Sequence, residues 1–369
     1  MLLMITDIYH DVILSGWVTA AILGVCLLLC RVPSRPIYMA YIRSRRILGG
    51  AYLIFGISIA QFTFFDLRST APYIAIALPL SYYYLEGILF GMSFCSLLDR
   101  KYISRRQIIT DFSRYGVFLI IVWSGAMIAE GQLRTWLLIA GATWFFLAAS
   151  GIALRFLRIY RRSVSKLNDY YSDNTEAFVK WLYKSTHGII FLGLSGAVMS
   201  FAPQWGNAIF MFCGIIMFIY IYISMQNYIL NYEEIEAAVL ADENEDDRNT
   251  TAAQAVKGDL PAAIREWVNA GGYLQPGISL EDLTSAVGSN RSYVSAHINS
   301  TYNCNFREWI NSLRMEHAKK MLESPQDMTI ERIATASGFS TSAYFCRQFL
   351  KREGLTPTQW RENNKKHSS

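Results

Sequence analysis

The chain is short of the groups that solvate a domain and of the groups that usually do chemistry. Only 17% of its 369 residues are charged against 52% hydrophobic, too few charges for a domain wetted on all sides. Cysteine is sparse: Cys26, Cys30, Cys95 and Cys213 lie in apolar runs, and Cys304 and Cys346 in a polar C-terminal part. None is placed to form a structural disulfide in an oxidising compartment, so they read as small apolar fillers. His297, His317 and His367 lack the spacing of a metal site. There is no HExxH, nucleophile elbow, phosphate-binding loop or kinase signature, which excludes the enzymes those motifs serve. The last apolar run holds no lysine, which excludes a retinal-type Schiff base. No catalytic residue, cofactor or metal is expected.

What is present is length in the apolar runs. They occur at about residues 12–30, 47–65, 71–98, 113–129, 135–154, 186–203 and 207–230, most near the roughly 20 residues a helix needs to cross about 30 Å of hydrocarbon. The fourth and sixth are interrupted near their ends by Arg114 and His187, which must snorkel or face polar groups. Lys and Arg accumulate in short cytoplasmic loops. Alternate connections here carry 17 basic residues, among them Arg43, Arg45, Arg46, Arg105, Arg158 and Arg162, while the opposite side has Arg68 and Arg134 alone, 2 in all. Seven crossings with the N-terminus outside and the C-terminus in the cytoplasm satisfy that split. Asp7 and Asp11 precede the first run where a cleaved signal would be basic, so it is expected to stay as an anchor.

Beyond the last run the composition breaks. Tyr232 to Asp247 holds eight acidic residues and no base. Met225, Tyr228, Tyr232, Ile235 and Val239 recur at spacings of 3 and 4, so the last helix either runs on with a narrow coiled-coil seam or frays into a disordered acidic tether. Three segments follow: a seven-span domain over 1–230, an acidic linker over 231–256, and a soluble domain over 257–369.

The soluble part reads as short helices punctuated by Gly, Pro and capping residues. Pro261 starts one, and Ser279 with Asp282 starts another that stops at Gly288. Asn290 caps a third, with Tyr293, Val294 and Ile298 facing a core. A linking helix of 19 residues is expected over 305–323, with Phe306, Trp309, Ile310 and Leu313 buried. Then residues 329–337, a turn at Gly338 and a helix over 340–353 repeat the helix, glycine turn, helix unit. Such a unit presents its second helix to a major groove, and a linking helix roughly 28 Å long sets two of them about one DNA turn apart.

These residues resemble the AraC/XylS-type transcriptional regulators. The resemblance rests on LEDLTSAVG and SYVSAHI in the first unit, on LRMEHAKKML in the linking helix, and above all on IERIATASGFSTSAYFCRQFLKREGLTPTQWR in the second, where Gly338, Phe339, Tyr344, Phe345, Arg347, Phe349, Lys351, Gly354, Thr356, Pro357 and Arg361 fall in register. It covers under a third of the chain and says nothing of the seven runs. It implies sequence-specific DNA binding through two helix-turn-helix units and control of transcription. With the seven apolar runs, the whole chain is expected to be all-α, a seven-helix transmembrane bundle followed by two helix-turn-helix units joined by a long helix. The residues expected at DNA are Asn290, Arg291, Ser292 and Ser295 in the first unit, and Ser340, Thr341, Ser342, Ala343, Arg347 and Lys351 in the second. Arg347 suits a guanine edge or a phosphate, and Lys351, Arg352 and Arg361 suit phosphates. Many family members carry a basic residue where Ala296 stands and Phe where Ile298 stands, which weakens base reading by the first unit. Residues 257–369 hold 14 basic and 11 acidic side chains, a net of about +3, enough only if clustered.

In the apolar part Glu86 stands near the middle of the third run beside Ser81, Tyr82, Tyr83 and Tyr84. A lone carboxyl at that depth faces the bundle interior, a proton or a ligand; Glu86, Tyr83 and Gln61 are the candidate sensing residues. The sequence therefore reads as a multi-pass inner (cytoplasmic) membrane protein that couples a membrane or envelope signal to a promoter. Its partners would be double-stranded promoter DNA, RNA polymerase, membrane lipid, a signal ligand and a second copy in a homodimer. Two other readings stand beside it: a transporter-like or enzymatic membrane unit with a regulatory appendage, and an anchored regulator released by proteolysis in the acidic linker.

Overall fold

The computed structural model describes residues 2–33, 35–64, 70–172, 176–199, 204–232, 259–324 and 328–367. The acidic linker, including Ile235 and Val239, lies outside them. The described chain is helical, with one isolated antiparallel bridge, and divides into two units, Met1–Ser163 with Phe178–Glu233, and Val164–Ala177 with Glu234–Ser369.

The first unit carries seven long helices among the described residues: α1 (Leu2–Leu29), α2 (Met39–Phe64), α3 (Pro72–Leu98), α4 (Arg105–Met127), α5 (Gly131–Tyr170), α6 (Glu176–Met199) and α7 (Gln204–Tyr228). Each overlaps most of one expected apolar run, but among the described residues five are long and apolar enough to cross a membrane: His10–Leu29 of α1, then α3, α4, α5, and Ala208–Tyr228 of α7. Arg43, Arg45 and Arg46 fall inside the first turns of α2, and Lys180, Lys184 and His187 inside α6, which dilutes both. Along one face of α5, Leu133, Trp136, Leu147 and Leu154 are 60–70% exposed, an apolar stripe suited to lipid rather than water.

Small residues and buried hydroxyls bring these helices together. At Gly24 an added Cβ would stand 3.1 Å from the carbonyl of Gly49, so α1 and α2 touch backbone to backbone. Tyr52 donates to the carbonyl of Phe218 at 2.6 Å and Tyr41 to that of Met225 at 3.0 Å, tying α2 to α7. Ser44 donates to the carbonyl of Ser93 at 2.8 Å, tying α2 to α3. Asp111 of α4 pairs with Arg155 of α5 at 3.0 Å, with Tyr102 accepting from the same guanidinium. Of the candidate sensing residues, Glu86 is buried and accepts from Ser58 at 3.5 Å, Gln61 donates to Tyr82 at 2.7 Å, and Tyr83 lines the same cavity as Glu86.

In the second unit are α8 (Leu260–Asn269), α9 (Leu280–Val287), α10 (Arg291–Tyr302), α11 (Phe306–Glu323), α12 (Ile330–Ala336), α13 (Ser342–Glu353) and α14 (Pro357–His367). Side-chain caps define their starts: Asp259 for α8, Ser279 with Asp282 for α9, Asn290 for α10, Asn305 with Glu308 for α11, Thr329 for α12 and Thr341 for α13. Each satisfies an amide that the helix leaves without a partner. Ile264, Leu283, Val294, Ile298, Trp309 and Ile310 form the core of a first lobe. Met315, Leu322, Ile333, Phe339, Phe345 and Phe349 form that of a second. α11 supplies apolar residues to both, so the lobes share one spine of 18 residues, about 27 Å long.

Candidate nucleic-acid interface

Each lobe ends in a helix-turn-helix. In the first, α9 closes on Gly288 in the left-handed region (φ 62°) and Ser279 and Asp282 form a reciprocal capping box. In the second, α12 turns through Gly338 at φ 83° into α13. That glycine is required twice over: its φ is hostile to a side chain, and a Cβ there would stand 2.6 Å from the carbonyl oxygen of Leu274 in the first lobe. Beside it lies Arg314 of α11, fully buried, donating Nε to the carbonyl of Tyr273 at 2.8 Å and Nη2 to that of Gln275 at 2.7 Å. Arg314 and Gly338 thus clasp the lobes at fixed separation. Arg314 lay unremarked inside LRMEHAKKML, where its spacing is that of an ordinary helix edge.

The expected DNA residues fall into four groups. Asn290 and Thr341 are caps: their side-chain oxygens accept from the amides of Tyr293 at 2.9 Å and Tyr344 at 3.2 Å. The second recognition helix therefore begins at Ser342 rather than Ser340, because Thr341 is extended at φ −144°. Arg291 opens α10, but its Nη1 is buried and its guanidinium stacks 4.9 Å from the ring centre of Tyr170. Ala343, Arg347 and Lys351, at i, i+4 and i+8 of α13, share one exposed face with Ser340 exposed before it, and among the described residues Arg347 and Lys351 make no hydrogen bond or ion pair. Ser292 and Ser295 are half-buried on α10, with Ala296 exposed beside them.

Two cations expected at phosphates are engaged within the protein. Arg361 donates to the carbonyl of Met328 at 2.7 Å, and Arg352 pairs with Glu316 at 3.3 Å. A polar cleft runs from α11 to α13, lined by Asn305, Arg307, Asn311, Tyr344, Arg347 and Lys351. At its base the Tyr344 hydroxyl accepts from Arg307 Nη2 at 3.1 Å and Asn311 at 3.0 Å, bonds that link the spine to the start of α13. The partners stand 37 and 33 residues apart, beyond the reach of any local pattern.

The last turns of α5 and the residues to Ser172 also belong to this unit. Tyr170 donates to Glu281 at 2.6 Å, Arg307 donates to Asn168 at 2.6 Å, and the Ser172 amide donates to the carbonyl of Ile278 at 3.1 Å.

Residues 283–363 match the model of a helix-turn-helix domain family. The chain is 31% identical over 99 residues to an uncharacterized HTH-type transcriptional regulator of Escherichia coli (strain K12), covering 27% of this chain and 34% of that protein. It is 37% identical over 84 residues to uncharacterized HTH-type transcriptional regulators of Staphylococcus aureus strains MSSA476 and N315, covering 23% of this chain and 11% of each. The chain thus spans about a third or less of the length of these curated relatives. No solved structure matches it.

Proposed function

We propose that this protein is a membrane-bound, sequence-specific DNA-binding regulator of transcription. The observation that carries the reading is the pair of helix-turn-helix units on one clasped spine, with an unengaged cationic face on α13, in the same chain as several long apolar helices. The reading takes residues 1–230 as a membrane domain with its N-terminus outside, 231–256 as a linker, and 257–369 as a cytoplasmic DNA-binding domain on which Val164–Ala177 also packs. Arg347 and Lys351, with Ser340, Ser342 and Ala343, face DNA in the second unit; Ser292 and Ser295 do so in the first. The membrane domain receives the signal, with Glu86 the focus of the receiving site. Promoter DNA and RNA polymerase are the partners at one end and lipid at the other.

Topology and chromatin together test this. Reporter fusions are expected to place Met1 and Pro203 outside and Arg45, Arg105, Lys166 and Ser369 in the cytoplasm, in line with the charge split of the loops. Mapping of bound DNA with the full-length chain is expected to give discrete sites. An external Ser369, or uniform DNA recovery, ends the proposal.

A further inference from the structure

Between α3, α5, α6 and α7 of the first unit lies a cavity of about 80 Å³. Its wall is mostly apolar and rich in rings, Phe90, Phe145, Phe210 and Phe218 among them; besides the phenols of Tyr83 and Tyr84, the polar side chains in it are Glu86 and Thr186. Glu86 is buried and, among the described residues, holds one long bond, 3.5 Å from Ser58, where a carboxyl group has room for several. Thr186 is 6% exposed, and its buried hydroxyl oxygen has no hydrogen-bond partner among the described residues. A buried polar group short of partners costs free energy that a ligand can restore. At Gly214, buried on α7 and part of the same wall, an added Cβ would meet nothing within 4 Å. The space is there as well as the unmet chemistry.

We propose that this cavity binds a small aliphatic amine. Its ammonium would rest against the Glu86 carboxylate, neutralising a charge the bilayer core penalises, and its hydrocarbon body would fill the ring-lined space. The size sets the class: an apolar cavity of about 150 Å³ holds benzene, so one of about half that volume suits a body of about four carbons. The inference deepens the reading of Glu86 as the receiving group, and it is tested without DNA. Full-length protein in lipid nanodiscs is heated with increasing n-butylamine or, as a control for partition into lipid, n-butanol. The midpoint of unfolding is expected to rise and saturate with the amine and to show no such rise with the alcohol. Gly214→Val, which fills the space and leaves the carboxyl, and Glu86→Gln, which leaves the space and removes the charge, should each abolish the rise. An equal response to both probes, no response in the natural protein, or an undiminished response in Gly214→Val overturns the ligand site, and none of these bears on whether the second unit binds DNA.

A second, independent observation concerns Val164–Ser172. The geometry points to an autoinhibitory contact: this segment occupies cations that duplex phosphates would otherwise recruit. Arg291 lies under Tyr170 with Nη1 buried, and Arg307 is spent on Asn168 and Tyr344. Tyr170 is fixed in turn by Glu281, and the backbone by the Ser172 bond to Ile278. In the full chain, the double change Asn168→Ala, Tyr170→Ala is expected to tighten binding to non-specific duplex several-fold and to steepen its salt dependence by about 1–2 in log–log slope, as one or two phosphate contacts are gained. Adding Arg291→Ala should remove much of that gain. Unchanged or weaker binding by the double variant overturns the inhibitory role.

Discussion

Gly338→Ala should lower the stability of the isolated 257–369 domain by about 3 kcal/mol or more. Alanine at φ 83° costs about 1–2 kcal/mol, and forcing its Cβ to 2.6 Å from the Leu274 carbonyl adds the 1–3 kcal/mol typical of overpacking. Arg314→Met should cost a similar amount by another route. The volume is kept, but the carbonyls of Tyr273 and Gln275 lose their donors in a buried site, at about 1–3 kcal/mol each. Urea unfolding reads both: the midpoint should fall with little change in slope. A loss below about 1 kcal/mol for both would mean that the lobes are not clasped here, and the fixed separation of α10 and α13 would go with it.

Arg347→Ala should weaken specific operator binding by about 1–3 kcal/mol, the worth of a bidentate base contact, and relax selectivity at one base pair. The fold gives no reason for a stability loss, since the side chain is exposed and touches no partner among the described residues. Lys351→Ala should differ in kind, weakening all sequences alike and reducing the salt slope by about 1. Measuring both against operator and scrambled duplex separates the roles. Equal losses on the two duplexes for Arg347→Ala would make it a phosphate contact.

Much of the soluble domain was legible because its signals are local. Ser279, Asn290, Asn305 and Gly288 act within a turn of where they stand, and the helices start and stop with them. The same logic shows why Asn290 and Thr341 do their work inward as caps: a short polar side chain before a helix meets an amide first. Arg314 was hidden because its partners lie 39 and 41 residues away, and no spacing within α11 announces them. The apolar runs gave the long helices but not their ends. α5 continues to Tyr170 although its hydropathy falls away after Arg155, since helical propensity survives where hydrophobicity does not. Glu86 stood out as a lone carboxyl. Thr186 did not, because a hydroxyl in an apolar helix ordinarily bonds its own backbone.

The clasp has a consequence for the DNA rather than the protein. A reader whose two helices are locked on one rigid spine is also a ruler, and a ruler is intolerant of a change in distance. Shifting one half-site by about five base pairs carries it to the far side of the duplex, and the molecule can follow only if the DNA twists or bends to meet it, at several kcal/mol. On the proposed function, a base change in one half-site weakens binding by a step, whereas a change in the interval between the halves removes one of the two contacts altogether, so a search for its sites has to read spacing together with sequence.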